Sequence, residues 1–249
     1  LGDRFETHAS ATTAMLMNIP IAHIHGGEIS EGAVDEKIRH SITKMSSLHF
    51  TSTDEYRDRV IQMGENPNMV FSVGAPGIDN IVNMNLLSKS ELQRELEWKI
   101  SETTALFTFH SETLSKFDTK KEIKRILKII SDSNINVLFT YANSDDGGRI
   151  INKEIEEFAS KDKEKYLVVK SLGQVKYLSA MKCLDFVIGN TSSGIIEAAS
   201  FQKPVINIGS RQKGRLQSGN VIDCTIEKLD DSISLAVSYD FIENCKNLI

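Results

Sequence analysis

Asp185-Phe186-Val187-Ile188-Gly189-Asn190-Thr191-Ser192-Ser193-Gly194-Ile195-Ile196-Glu197 is an apolar run that stops in small hydroxyl residues and glycine, then enters a helical pattern ending near residue 202. A strand that passes this way into a helix aims backbone N–H groups and the positive end of the helix dipole at one spot, which suits a phosphate. Glu197 follows Ser193 by one helical turn, in reach of ribose hydroxyls. The same residues also suit an N-capped surface helix, because Thr191, Ser192 and Ser193 are ordinary capping types and a first-turn glutamate complements the dipole. The stretch leaves both readings open, and its neighbours decide.

Outward from it, strand-like runs alternate with longer helical patterns, the signature of βα units and parallel sheets. Helices are predicted over 6–18, 35–47 and 54–65, with strands over 21–26, 48–52 and 69–74. After Ala75-Pro76-Gly77 the pattern loosens, and Ser88 followed by Glu91 is a capping-box candidate opening a new helix. A boundary near residue 85 therefore divides the chain into domains 1–85 and 86–249. The second series has strands over 104–109, 135–141, 166–171, 186–188 and 205–208, and helices over 119–133, 149–161 and 174–183. In the 119–133 helix Ile123, Ile126, Leu127 and Ile130 share one face, so its lysines point to water. The expected fold class is α/β with two Rossmann-like domains. Leu1-Gly2-Asp3-Arg4 reads as the tail of a strand and its βα loop, so the first sheet is expected to lack its opening strands.

Composition narrows the function. The 249 residues are 40% apolar and 25% charged with a net charge of −5, an ordinary globular balance with no basic run to grip nucleic acid. The apolar windows are too short and interrupted for a membrane span, and a cytoplasmic location is expected. Cys183, Cys224 and Cys245 form no C-x-x-C pair, and His23 and His25 have no third ligand at a recognisable spacing, so no metal is expected. Ser193 lacks the G-x-S-x-G elbow of a serine hydrolase.

In open α/β sheets ligands bind beyond the carboxyl ends of the strands. The residues there are Asp3 and Arg4, 25–28, 110–113, 143–146, 191–194 and 209–215, polar, small or charged at both sheets. Such edges suit a cleft.

Five separated segments, Asp3-Arg4-Phe5-Glu6, His23-Ile24-His25-Gly26-Gly27-Glu28, Asp35-Glu36-Lys37-Ile38-Arg39-His40, Gly189-Asn190-Thr191-Ser192-Ser193-Gly194 and Arg211-Gln212-Lys213-Gly214-Arg215, occur in the order and spacing of one family. Across nearly its whole length the chain resembles the hydrolysing UDP-N-acetylglucosamine 2-epimerases of sialic acid and related nonulosonic acid synthesis. The resemblance implies a glycosyltransferase-B-like fold with a UDP-sugar in the interdomain cleft. It also implies anti elimination of UDP to a 2-acetamidoglucal, then hydration to the 2-epimer, without cofactor. The expected product from UDP-N-acetylglucosamine is N-acetylmannosamine; UDP-N,N'-diacetylbacillosamine is the alternative substrate, and a homodimer or homotetramer the expected assembly. A glycosyltransferase and a non-catalytic nucleotide-sugar module are the competing functions on this fold.

That chemistry needs a base near the C2 proton, a group opposite it, and dipoles or cations on the departing diphosphate. The resemblance places Asp3 and Asp35 at acidic catalytic positions. The structural alternative for Asp3 is a pairing with Arg4, and for Asp35 an N-cap or a pairing with Arg39 one turn on. At the family's acidic position in the second segment this chain has His25, whose side-chain type titrates near pH 6.5 in about its unperturbed state and can move the same proton. Glu28 is the nearest carboxylate, Gly26 and Gly27 would allow close backbone approach to the sugar, and His23 should face the other side of the strand. Arg4, Glu28, His110, Asn143, Ser192, Ser193, Gly194, Glu197 and Arg211 are the expected UDP-sugar contacts, with Arg215 a weaker candidate. Asn143 also suits a plain turn, and Tyr177, near the family's uracil pocket, suits ordinary helix packing.

Overall fold

The computed structural model describes residues 1–31, 33–101, 103–112 and 118–248. They form two compact units, Leu1–Asn80 with Lys213–Arg215, and Ile81–Gln212 with Leu216–Ile249.

The first unit runs α1 (Phe5–Leu16), β1 (Ala22–Ile24), α2 (Asp35–Met45), β2 (Leu48–Thr51), α3 (Asp54–Gln62), β3 (Val70–Ser72). Its three strands pair in parallel in the order β1-β2-β3, with His23 opposite His49 and Phe50 opposite Phe71. The elements are shorter than their sequence patterns because the backbone leaves them at left-handed residues. β1 ends before His25 (φ +67°), α1 before Asn18 (φ +55°) and α3 before Gly64 (φ +93°).

Where the pattern loosens after Ala75 the chain forms α4 (Pro76–Asn83), and the division between the units falls inside it rather than near residue 85. Residues 213–215 group with the first unit, although sequence order places them in the second domain.

The second unit continues with α5 (Lys89–Leu96), β4 (Thr104–Thr108), α6 (Thr119–Asp132), β5 (Asn136–Thr140), α7 (Gly148–Ala159), β6 (Tyr166–Val169), α8 (Gly173–Cys183), β7 (Phe186–Gly189), α9 (Ser192–Ile196) and β8 (Val205–Ile208). Ser88 caps α5 through a complete capping box with Glu91. β9 (Val221–Cys224), α10 (Leu229–Ala236) and α11 (Tyr239–Lys246) follow, in a stretch where the sequence suggested no elements. All six strands are parallel, in the order β6-β5-β4-β7-β8-β9.

Side chains alternate across this sheet and both faces are covered, as parallel sheets require. Ala105, Phe107, Val137, Phe139, Phe186, Ile188, Ile206 and Ile208 pack with Ile123, Ile126, Leu127 and Ile130 of α6, and with α7 and α10. Leu106, Leu138, Val187 and Val205 pack on the other face against Leu92 of α5 and Ala180 and Met181 of α8. Each fully buried Leu, Ile or Phe contributes about 1.5–3 kcal/mol, so the second unit carries the larger core. The helical run expected to reach residue 202 breaks at Glu197. A 3₁₀ turn, Ala198–Phe201, follows and closes on left-handed Gln202. Among the described residues no helix is long and apolar enough to cross a membrane.

Candidate functional site

The strand order of the second unit reverses between β4 and β7, each connected onward in opposite directions across the sheet. Loops leaving such a pair of strands diverge and open a crevice at their carboxyl ends. His110 follows β4 there, and Thr191 to Gly194 follow β7.

Asn190 ties these loops together. Fully buried, its side chain accepts from the His110 N–H at 2.8 Å and donates to the His110 carbonyl at 2.8 Å. Its own carbonyl accepts from Arg211 Nη1 at 3.2 Å and Gln212 Nε2 at 2.7 Å. His110 Nδ1 accepts the Asn143 N–H at 3.1 Å, so a neutral ring carries its proton on Nε2 as a donor. The Asn143 side chain closes its own turn on Asp145, accepting from its N–H at 3.3 Å and donating to its carboxylate at 2.6 Å. Asn143 therefore both makes the turn and orients the histidine.

Thr191 is the N-cap of α9, accepting from the Ser193 N–H at 3.4 Å. With five residues α9 has little dipole, so what this turn can offer a phosphate is its loop N–H groups rather than a helix end. The Ser193 hydroxyl donates to the Glu197 carboxylate, joining two expected nucleotide contacts into one pair. Gly194 is buried, and a Cβ there would press on Val205 at 3.1 Å, a tight fit at this position. Tyr177 packs partly buried against the α8-side core. Burial holds its hydroxyl above the usual tyrosine range.

In the first unit His25 Nδ1 lies 2.5 Å from Glu28 Oε1. Glu28 is itself 3% exposed, accepts from Ser52 Oγ at 3.2 Å and pairs with Arg215 Nη1. Burial pushes its carboxyl up, but the His25 bond and the Arg215 and Arg39 charges outweigh it and hold it down at about 2. Glu28 is thus a fixed, enclosed anion that orients His25 and binds Arg215. Arg39, fully buried, reaches Asp3 through Nη2, the Glu28 carbonyl through Nη1 at 2.8 Å and Ser30 Oγ at 3.1 Å. Asp3 is paired with Arg39, and Asp35 follows the N-cap residue of α2, Val34, instead of capping the helix itself.

Arg4 is the N-cap residue of α1, beside Glu6 at 3.7 Å and over the Phe5 ring. Asp35 is the first residue of α2, half-buried, and its neighbour Glu36 accepts the Ser30 N–H at 2.7 Å. Gly26 and Gly27 serve the fold: a Cβ on Gly27 (φ +81°) would lie 2.3 Å from the Tyr56 carbonyl oxygen, and one on Gly26 3.1 Å from His23 Nδ1. His23 faces inward, 2% exposed, with Nδ1 3.1 Å from Thr43 Oγ1. Thr113, in the 110–113 stretch expected to bear on the site, lies outside the described residues.

Asn190, Gln212, Glu112 and Ser52 are supporting residues that local patterns did not single out. Asn190 and Gln212 lay within the quoted motifs, but only a partner distant in sequence reveals what each one holds.

The family described as UDP-N-acetylglucosamine 2-epimerase matches residues 1–243. The chain is 44% identical over 245 residues to a Campylobacter jejuni protein named GDP/UDP-N,N'-diacetylbacillosamine 2-epimerase (hydrolyzing), covering 98% of this chain and 64% of the relative. It is 43% identical to the Escherichia coli polysialic acid biosynthesis protein P7, covering 92% and 58%. A Legionella pneumophila UDP-N,N'-diacetylbacillosamine 2-epimerase (hydrolyzing) is 36% identical, covering 91% and 59%. The chain thus spans about three-fifths of the length of these relatives. Among solved structures, the Neisseria meningitidis UDP-GlcNAc 2-epimerase bound to UDP-GlcNAc aligns with a TM-score of 0.79 at 14% identity, over 100% of this chain and 70% of that one. The Staphylococcus aureus MnaA–UDP structure aligns at 0.75 and 18% identity, over 99% and 68%. These two share the glycosyltransferase-B-like fold, and the match over 243 residues settles kinship: the chain belongs to the UDP-N-acetylglucosamine 2-epimerase family.

Proposed function

We propose that the protein is a hydrolysing 2-epimerase of a UDP-2-acetamido sugar. The observation that carries this reading is the His25–Glu28 pair beside Asp3, a proton-transfer group held by a buried anion in a family whose relatives are named for C2 epimerisation with hydrolysis. With its Nδ1–H donated to Glu28, neutral His25 keeps a lone pair on Nε2, the form of a general base.

The reaction then runs in two steps. His25 takes the C2 proton, the electron pair forms the C1–C2 double bond, and the C1–O bond to UDP breaks, leaving the 2-acetamidoglucal. Water adds its oxygen to C1 while a proton returns to C2 from the opposite face, so substrate plus water becomes the 2-epimer plus UDP. Asp3, held by Arg39, and Asp35 serve the water and the returning proton. The His110 Nε2–H and the Arg211 guanidinium stabilise the departing diphosphate, and Ser192, Ser193 and Glu197 hold the nucleoside side.

For the sugar, the names of the 44% and 36% identical relatives favour UDP-N,N'-diacetylbacillosamine, whereas a 31% identical Neisseria meningitidis relative is named for UDP-N-acetylglucosamine. Incubating the full-length protein with each sugar nucleotide in deuterated water, followed by NMR, tests both levels. UDP release with deuterium at C2 of a 2-epimeric free sugar is the expected result. Inertness toward both nucleotides rejects the reading, and cleavage without C2 deuteration points to glycosyl transfer or simple hydrolysis instead.

A further inference from the structure

The loops that leave β4 and β8 are joined by one carboxylate. Glu112 Oε1 accepts from the backbone N–H of Ser210 at 2.6 Å and of Arg211 at 3.1 Å, and Oε2 accepts from the Ser210 hydroxyl at 2.9 Å. Three donors on one carboxylate make a strong, directional clamp. The backbone is shaped to receive it: Gly209 has φ +82°, and a Cβ there would fall 2.3 Å from Glu112 Oε1. Glu112 lies two residues after His110, and Arg211 returns through Asn190 to the His110 backbone. His110, Glu112, Arg211 and Asn190 thus form a closed ring.

The geometry points to Glu112 as a positioning residue that sets the Arg211 guanidinium for the UDP diphosphate by fixing the backbone from which it extends. This rests on the function proposed above. Two features set the clamp apart from a surface contact. Its anion fills the backbone N–H groups of Ser210 and Arg211, so a phosphate at this loop must be met by the Arg211 side chain rather than by those amides. Moreover, among the described residues Glu112 has no ion pair, and in these bonds it caps no helix, so its role is to hold backbone.

The test is UDP binding by isothermal calorimetry together with steady-state kinetics on the full-length protein, comparing wild type with Glu112→Ala, Glu112→Gln and Ser210→Ala. Loss of the clamp in Glu112→Ala should raise the UDP Kd and the sugar-nucleotide KM about tenfold, equivalent to about 1.4 kcal/mol, while kcat changes much less. Glu112→Gln keeps an acceptor for both N–H groups and should restore most of the affinity; Ser210→Ala, which removes one of three bonds and serves should the alanine variant fail to fold, should lie between. If the wild type binds UDP and Glu112→Ala, or in its place Ser210→Ala, binds it equally well, Glu112 has no positioning role. A wild type that binds no UDP overturns the functional reading along with this inference.

Discussion

His25 Nδ1 meets Glu28 Oε1 at 2.5 Å across a turn in which His25 itself is left-handed, with φ +67°. A non-glycine residue in that region costs of order 1 kcal/mol and persists only where its surroundings hold it. Here the holding group is a carboxylate buried against Arg215 and Ser52.

Replacing this anchor by a neutral isostere should separate the two effects. Glu28→Gln should lower turnover, and His25→Ala should lower kcat by about 10²–10⁴, the usual worth of a positioned proton-transfer group. Glu28 also titrates from an ordinary value of 4.5 down to about 2 in the fold. A depressed carboxyl gives stability that is present above its unfolded pKa and is lost as pH falls through the folded one. The Tm gap between wild type and Glu28→Gln should therefore be constant near neutrality and shrink below about pH 4.5; a gap that does not narrow toward pH 2 excludes the buried anion.

His23 acts with the opposite charge. Burial, followed by neighbouring positive charge, lowers it from 6.5 to about 4, so the fold holds it neutral while the unfolded chain binds a proton. Stability should then fall as pH drops from about 6.5 toward 4 and level off below. Thermal scans across this window should show the slope in wild type and a flatter one in His23→Gln. Equal slopes would show that His23 does not carry it.

Asn190 bridges both backbone groups of His110. Asn190→Ala should orphan a buried donor and an acceptor, at about 1–3 kcal/mol for each group left unsatisfied, and weaken UDP binding as His110 loosens. Asn190→Asp should rescue little, since it cannot donate to the His110 carbonyl. Calorimetric unfolding that leaves Asn190→Ala as stable as wild type would contradict this.

Asp35→Asn should abolish turnover while UDP still binds, because the residue belongs to the first unit and the proposed diphosphate contacts to the second. Assaying product formation and UDP affinity on the same sample checks both halves. Unchanged turnover removes Asp35 from the mechanism.

Much of the fold was legible because its signals are local. The 3.6-residue spacing of Ile123, Ile126, Leu127 and Ile130, the Ser88–Glu91 box and the apolar runs at 104–109 and 205–208 each specify an element within one window. Ends were less legible: the turns at His25, Asn18 and Gln202 are left-handed at residues that do not demand it, so the neighbourhood imposes them. The candidate site residues were named from their motifs, but their partners were not legible there. Arg39 joins Asp3 across 36 positions, and Arg215 joins Glu28 across 187.

By itself, the sequence determined that this chain builds parallel βα layers and places histidines, aspartates and hydroxyls just beyond their strands, because hydrophobic period and turn chemistry act between near neighbours. The tertiary structure alone decided what each of those groups is braced against. Glu28 became an anchored anion and Arg39 the grip on Asp3, since charge pairing and burial depend on what folding brings alongside, not on what precedes or follows in the chain.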